Sequence, residues 1–521
     1  MYIILISIFI CIFFRILFLK SAKSTDDWVH MYMVRSRRYY KNPFDYKALD
    51  SVLVGNKGYP QLYHYIVSLF PENKYALFGR LLNIFFDCLV ISFSVIVAKY
   101  FFNSTQVIPH EFNALYVGII IASSPILLPT TSRIKAMGAR VMGFTLYIFF
   151  LSFSFLLLHT NEILELTLSS LGIIIFLHLI VLTSQFALQV SIWTIVILFF
   201  VYMNLLFIFV TLLSLFLILK FNYFGTKDVA SQIISNWRWY FKVAKLGKAP
   251  MNRSKWKDHF YLFSWIFNDP YKALIHCTKK STLIILFYSV LPFFILIYFV
   301  FFDKNLFANL ISHPFSKFLF CISISLAVAC FITSLKFFQF LGQAERYFEY
   351  VSPAIAILYV YVILISNRSQ EWILYIIIFQ IFGVLINFVY LNLHIFSKKK
   401  SSKVDLNFTE VLDFLRKQKP SKIITLPTKM SYHISALIPS LHKYYFQHID
   451  MPKNGLNYMI KDHEDYNFIK TDYSFFKKKY NIDKIVISKK YLNVALEKNI
   501  RYNISLYNTI FENDDYLILS I

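Results

Sequence analysis

Just past the first apolar run of the chain stands Thr25-Asp26-Asp27-Trp28-Val29-His30. Two adjacent carboxylates at the edge of a hydrophobic segment are expensive to dehydrate, so their position calls for a reason. One of Asp26 and Asp27 can act as a general base or a metal ligand while the other orients it. The competing reading is a solvated helix cap, because Asp is an ordinary N-cap residue. A second island, Gly58-Tyr59-Pro60-Gln61-Leu62-Tyr63-His64-Tyr65, sets a turn at Pro60 and offers Tyr63 and His64 as hydrogen-bonding groups for a sugar or a phosphate. An interfacial aromatic belt explains the tyrosines equally well, and His64 less readily.

Three further islands are polar where their surroundings are not. Arg80, Asn83 and Asp87 lie at i, i+3 and i+7 and form one stripe on a helix, which reads as glue inside a bundle before it reads as catalysis. Thr131-Ser132-Arg133 and Ala139-Arg140 place two arginines beside the start of an apolar run. Arginine suits bidentate phosphate binding, and positive anchoring of a loop is the plain alternative. Leu341-Gly342-Gln343-Ala344-Glu345-Arg346-Tyr347-Phe348-Glu349-Tyr350 sets Glu345, Arg346 and Glu349 at the mouth of another run. The two glutamates share a helix face with Arg346 adjoining, so a helix-surface ion pair is the bland reading there.

The elements that carry these islands are membrane spans. The chain has 521 residues, 57% of them hydrophobic, and a mean hydropathy of +0.54, which excludes a water-soluble protein. A span needs ~20 apolar residues. Apolar runs follow the first one at about 76–98, 112–129, 141–159, 165–183, 187–220, 282–302, 315–336, 350–366 and 371–396. The run 187–220 is too long for one upright span. Read as a hairpin it gives an all-α polytopic bundle of about eleven helices; read as one tilted helix it moves the later polar segments to the other side. The first run lacks a basic leader and is interrupted by Arg15, so it reads as a retained helix rather than a cleaved signal.

Two polar regions remain. The first loop, 20–75, is too long for a simple turn and is expected to be functional. The segment 221–281 is basic and carries Trp237, Trp239, Tyr240 and Trp256, which reads as amphipathic helices lying on the membrane. The expected organisation is a transmembrane domain over 1–397 and a small soluble α/β domain over 398–521. In the latter, Phe408, Val411, Leu412 and Leu415 have helical spacing, and KIITLP, KIVIS (484–488) and YLILSI (516–521) read as strands. Its only glycine is Gly455, so it has no glycine-rich phosphate loop.

The net charge of +24 is spread between apolar runs rather than gathered in one stripe, which points to anionic lipid head groups or a phosphorylated lipid and away from nucleic acid. Cys11, Cys88, Cys321 and Cys330 lie in apolar runs and Cys277 lies near a loop; with neither a CxxC pair nor HExxH, neither redox nor zinc chemistry is signalled.

Together the islands resemble the C-type glycosyltransferase superfamily, multi-span enzymes that use polyprenyl-phosphate sugars and include protein O-mannosyltransferases, oligosaccharyltransferase catalytic subunits and lipid A aminoarabinose transferases. Asp26-Asp27 stands where that family has an acidic pair in the first external loop. YPQLYHY looks like the proline-aromatic start of the second helix in bacterial members, and SRIKAMGAR, TSQFALQ (183–189) and LGQAERYFEY look like later motifs. Gln343 departs from the pattern, since a glutamate is expected there.

The resemblance implies a bacterial plasma-membrane enzyme, its active site on the extracytoplasmic side, that moves a sugar from a polyprenyl-phosphate donor to a glycan, lipid or protein acceptor by inverting transfer. Asp26 or Asp27 would take the acceptor proton, while Arg133, Arg140 and Arg346 are candidates to hold the leaving phosphate, with Glu345 beside them. By the resemblance, the lipid-phosphate role falls on Arg346. His30, Tyr63 and His64 would position sugar or phosphate oxygens. No cofactor is certain from the sequence, and a divalent metal between the acidic residues stays open, because some members of the family use one and others do not. A lipid-linked glycan flippase, with Arg80, Asp87 and Arg346 lining a path, is the first alternative, and a glycan polymerase is the second; the one lacks evident inverted repeats, and the other would carry its longest polar loop late in the chain.

Overall fold

The computed structural model describes residues 2–19, 25–36, 51–52, 60–105, 112–124, 127, 137–221, 282–335, 337–341, 344–366, 368–398, 402–438, 441–445, 473–497 and 502–521, with isolated residues between 226 and 270. Arg133, Gln343, Cys277 and most of 221–281 lie outside these residues, as do the side chains of Asp26, Asp27 and Glu345.

In chain order the first helices are α1 (Tyr2–Leu19), α2 (Thr25–Ser36), α3 (Leu62–Ser68), α4 (Tyr75–Ser104) and α5 (Phe112–Ser123). Then come α6 (Arg140–His159), α7 (Ile163–Thr183), α8 (Gln185–Tyr202), α9 (Leu205–Phe221), α10 (Thr282–Phe302), α11 (Lys304–Ser312), α12 (Pro314–Ser334), α13 (Glu345–Ile365) and α14 (Glu371–Lys398). The remainder is α15 (Ser402–Lys417), β1 (Lys422–Leu426), α16 (Met430–Leu437), β2 (Lys443–Tyr444), α17 (Tyr473–Tyr480), β3 (Lys484–Ser488), α18 (Lys489–Glu497), β4 (Asn508–Glu512) and β5 (Tyr516–Ser520).

These elements form two compact units. Unit 1 comprises Met1–Ala22, Gly79–Phe221 and Asn252–Leu393; unit 2 comprises Lys23–Phe78, Asn222–Met251 and His394–Ile521. The sequence places a single division after residue 397. By compactness, Lys23–Phe78 groups with His394–Ile521 in unit 2.

Unit 1 is a helical bundle. Seven helices among the described residues are long and apolar enough to cross a membrane, and the pair Leu291–Phe302 and Lys304–Ser312, bent by 110°, makes an eighth if it is one span. Three shorter apolar helices, Phe112–Ser123, Leu205–Phe221 and Glu371–Leu385, accompany them. At ~1.5 Å per residue α5 reaches about 18 Å, short of a ~30 Å hydrocarbon core, so the expected eleven is reached only by counting partial crossings. The run 187–220 is two helices, α8 and α9, parted at Met203, which takes a left-handed conformation (φ 50°), and Asn204, whose side chain accepts from the Phe207 amide. Helix α9 packs against α7, which a straight continuation of α8 could not do, so the chain reverses there.

Helix α13 is the centre of the bundle: 83% of its apolar window is buried, against 28% for α1, which turns Tyr2, Leu5, Phe9, Phe13 and Ile16 outward as a lipid-facing stripe. Close approach between helices depends on small residues. A Cβ on Gly118 of α5 would lie 2.2 Å from Ser7 Oγ of α1, and one on Gly143 of α6 would lie 2.5 Å from Ser184 Cβ. Polar groups finish the assembly. Arg15 Nε donates to Asp87 Oδ2 at 3.1 Å and Nη1 donates to the Ala122 carbonyl at 2.6 Å, tying α1 to α4 and α5 with both side chains buried. Arg80 Nη1 donates to the Leu19 carbonyl at 2.9 Å, closing the end of α1. Two members of the Arg80-Asn83-Asp87 stripe are thus structural glue, and Asn83 is buried beside them.

Unit 2 is built on a five-stranded sheet of order β2-β1-β3-β5-β4, with β2, β1 and β3 parallel and β5 antiparallel to both β3 and β4. The three strands read from sequence appear as β1, β3 and β5, the central ones, whose apolar runs reflect burial on both faces. Phe408, Val411, Leu412 and Leu415 of α15 are buried, as their spacing predicts. His442 is buried beside the sheet. Its Nδ1 accepts from the Ser421 amide at 3.1 Å, and its Nε2 donates to the Leu415 carbonyl at 2.9 Å, so the ring is neutral.

Two outcomes follow. Asp87→Ala leaves Arg15 buried without its carboxylate and is expected to destabilise the detergent-solubilised protein by about 3–5 kcal/mol, whereas Arg15→Met combined with Asp87→Leu removes both charges and costs far less; thermal unfolding of the two variants measures the difference. Burial, and to a lesser extent the Lys484 charge, holds the His442 imidazole below its ordinary value, opposed by its bond to Leu415. The unfolded chain therefore takes up this proton first as pH drops through about 6.5, and unit 2 loses stability between there and the lower folded value. Protection of the β1 and β2 amides, taken relative to the intrinsic exchange rate at each pH, is expected to fall from pH 7.5 to pH 5.5, and His442→Gln is expected to flatten that fall.

Candidate functional site

The candidate residues fall in both units. In unit 2, Asp26 and Asp27 occupy the first turn of α2, four and three residues before His30, so all three helical positions are neighbours on one side of the helix. His30 meets His64 of α3: Nδ1 of the first and Nε2 of the second are 2.8 Å apart, with ring centroids 5.1 Å apart and planes 18° from parallel. That centroid separation is about as large as the nitrogen distance permits, so the rings meet head-on and nearly coplanar rather than stacked. Such geometry is an N–H···N hydrogen bond with one shared proton, and it leaves one ring a neutral acceptor.

Tyr63 is buried and edge-on to His64 at 5.6 Å. Arg35 Nε lies 3.3 Å from Glu72 Oε1, securing the far end of α2. Among the described residues no three His, Cys, Asp or Glu side chains converge. Two imidazoles pointing at one another do not present their lone pairs to a common tetrahedral ion.

In unit 1, three sequence islands that lie far apart in the chain come together. Arg140 opens α6, Phe186 and Gln189 lie in the first turns of α8, and Arg346, Tyr347, Glu349 and Tyr350 lie in the first turns of α13. Arg140 Nη2 donates to Glu349 Oε2, and Glu349 is fully buried. Gln189 Nε2 donates to the Leu341 carbonyl at 2.6 Å and to the Tyr347 hydroxyl at 3.0 Å, which fixes the turn leading into α13. Tyr350 packs against Phe144, Tyr147 and Phe186, at 5.4, 5.3 and 5.6 Å between ring centroids.

Arg346 is left in a distinct setting. Its guanidinium carbon lies 5.5 Å from the Phe186 ring centroid, and its buried Nε has no hydrogen-bond partner among the described residues. It is close enough to Arg140 for the two charges to repel. Among the described side chains Glu349 faces one of the two guanidinium groups, and the Nε of Arg346 keeps an unspent N–H donor, the chemistry that an anionic oxygen such as a phosphate oxygen satisfies. The helix-surface pair expected between Arg346 and its own helix does not extend to Glu349, which turns to Arg140 instead. The Arg140–Glu349 pair was not legible from spacing, since 209 residues separate its members.

No family model matches the sequence, and no curated protein matches it. Solved structures do. ArnT from Cupriavidus metallidurans, an aminoarabinose transferase crystallised bound to undecaprenyl phosphate, superposes with a TM-score of 0.53 at 10% identity, covering 100% of this chain and 97% of that one. The Archaeoglobus fulgidus oligosaccharyltransferase tethered to an acceptor peptide gives 0.53 at 12% identity, over 94% of this chain and 68% of that one. Both are C-type glycosyltransferases. This chain is therefore a multi-pass membrane protein with the fold of the C-type glycosyltransferases.

Proposed function

We propose that the protein is a membrane glycosyltransferase that moves a sugar from a polyprenyl-phosphate donor to an acceptor hydroxyl, with inversion, on the extracytoplasmic side of a bacterial plasma membrane. The observation that carries this reading is Arg346: a half-buried guanidinium, held over Phe186 with an unpartnered Nε, where three separate islands meet. A donor phosphate supplies the oxygens that this group lacks. The donor class is supported by two proteins of the same fold, ArnT with undecaprenyl phosphate and the archaeal oligosaccharyltransferase with dolichol phosphate.

In this reaction the bond between the anomeric carbon and the phosphate oxygen breaks, the acceptor oxygen attacks the opposite face of the sugar, and the acceptor proton passes to Asp26 or Asp27. Phosphate is already a competent leaving group, so the protein's main task is to hold its charge. Arg346 performs it. Arg140, its guanidinium engaged by Glu349, frames the site rather than serving as a second free arm. Glu345 and Arg133 keep the candidate binding roles that the sequence reading gives them. His30 and His64, hydrogen-bonded to each other, position sugar or phosphate oxygens, and Tyr63 packs edge-on against His64.

Asp26→Asn and Asp27→Asn, made separately and assayed in membranes with labelled polyprenyl-phosphate sugar, are expected to lower kcat by at least about a hundredfold in one of the two; unchanged transfer by both overturns the reading. Arg346→Ala is expected to raise the donor KM by about tenfold to a hundredfold, the worth of charge-assisted hydrogen bonds to one phosphate, while leaving thermal stability nearly unchanged. Glu349→Ala does the reverse: it buries Arg140 without its partner and lowers stability by about 3–5 kcal/mol. Equal stability losses in the two variants would remove the distinction drawn between Arg346 and Arg140.

A further inference from the structure

Helix α2 has two faces. At ~100° per residue, Trp28 and Tyr32 lie together on one side, while the positions of Asp26 and His30 lie on the opposite side with Asp27 flanking them. The aromatic side is docked on the soluble domain. The Trp28 ring lies 3.8 Å from the ring of His433 on α16, with 34° between the planes. His433 lies in turn 4.3 Å from Phe408 of α15 at 26°, and Phe408 is 5.5 Å from Tyr516 of β5. Four rings thus form a column from the acidic helix down to the sheet. Beside it, Tyr32 meets Tyr432 of α16 at 6.3 Å.

A second attachment lies further along the same loop. Ser51 pairs in parallel with Tyr444 of β2, the Val52 amide donates to the Tyr444 carbonyl at 2.9 Å, and Val52 packs on the apolar core of the sheet. The loop is therefore fastened to the soluble domain twice, by a helix face and by a rung added to an edge strand.

We propose that the soluble domain is the holder of the acidic helix and that His433 is a positioning residue acting through Trp28. Because α2 is amphipathic in chemistry rather than in hydropathy, docking its aromatic face decides which way the face bearing Asp26, His30 and Asp27 looks. His433 touches no reacting atom. Its ring fills the slot between Trp28 and Phe408, so that α2 cannot roll about its own axis. The activity consequence rests on the glycosyl-transfer reading above; the packing consequence does not.

The test uses the full chain in lipid nanodiscs, with amide exchange and sugar-transfer kinetics measured on the same preparations. In His433→Ala, exchange over 25–36 is expected to rise about tenfold, what one well-formed aromatic pair contributes, with exchange in the bundle helices unchanged. kcat is expected to fall about tenfold with the donor KM within twofold. His433→Phe, which keeps a flat ring in the slot, restores both, and Trp28→Ala combined with His433→Ala is no worse than either alone. Unchanged exchange over 25–36 in His433→Ala overturns the holder. Faster exchange with unaltered kcat overturns the positioning role. Should the unsubstituted protein transfer no sugar, the glycosyl-transfer reading fails while the exchange data still decide whether the soluble domain holds α2.

Discussion

A charge placed in hydrocarbon finds no water there and must find its partner inside the bundle, and that requirement governs how the helical unit is assembled. Arg15 binds α1 to its neighbours because the Asp87 carboxylate and the Ala122 carbonyl take its N–H groups. Glu349 binds α13 to α6 through Arg140. Desolvation offsets most of the Coulomb attraction in such pairs, so their net contribution to stability is small. Their consequence is register: a slide of one helical turn would leave both members buried and unpaired. Packing between the charges then closes around small residues, with Gly118 against Ser7 and Gly143 against Ser184, where a larger side chain would force the helices apart.

The same accounting explains the character of the unit 1 site. Three cationic and anionic groups lie near one another at the starts of α6 and α13, and Glu349 is shared with only one of the two arginines. Arg346 is held instead by the face of Phe186, a partner that stabilises a cation without consuming its hydrogen-bond donors. Gln189 bonds both the Leu341 carbonyl and the Tyr347 hydroxyl, which ties α8 to the turn at Gln339–Leu341 and to the first turn of α13, where Arg346 lies.

The soluble unit follows a different logic, since water can satisfy whatever it leaves exposed. Its sheet is ordinary in construction, with buried central strands and an exposed β4 at one edge. Less ordinary is its annexation of the first loop. Helix α2 has almost no net hydropathic bias, yet Met31, Tyr32, Met33 and Val34 are all buried, which a helix of such composition achieves only by being enclosed. The enclosure comes from α16 on one side and α3 on the other, and the His30–His64 hydrogen bond is the polar seam of the latter.

Much of this was readable from the linear chain. Hydropathy established the membrane bundle, the spacing of Phe408, Val411, Leu412 and Leu415 established the inner face of α15, and three apolar β-rich runs established the core of the sheet, because burial acts on residue type and period directly. The islands around Arg140, 183–189 and 341–350 could be picked out as polar exceptions in apolar surroundings, as could the Arg80-Asn83-Asp87 stripe. Strands β2 and β4 could not, being short or exposed and lacking an apolar pattern. Tertiary structure alone decided the partners: that Asp87 belongs to Arg15, that Glu349 turns to Arg140 and leaves Arg346 over a ring, and that Trp28 stacks on a histidine some four hundred residues away. Composition and period report how much of a side chain must leave water, whereas the identity of the group that meets it depends on which helices and loops close against one another, and no local spacing encodes that.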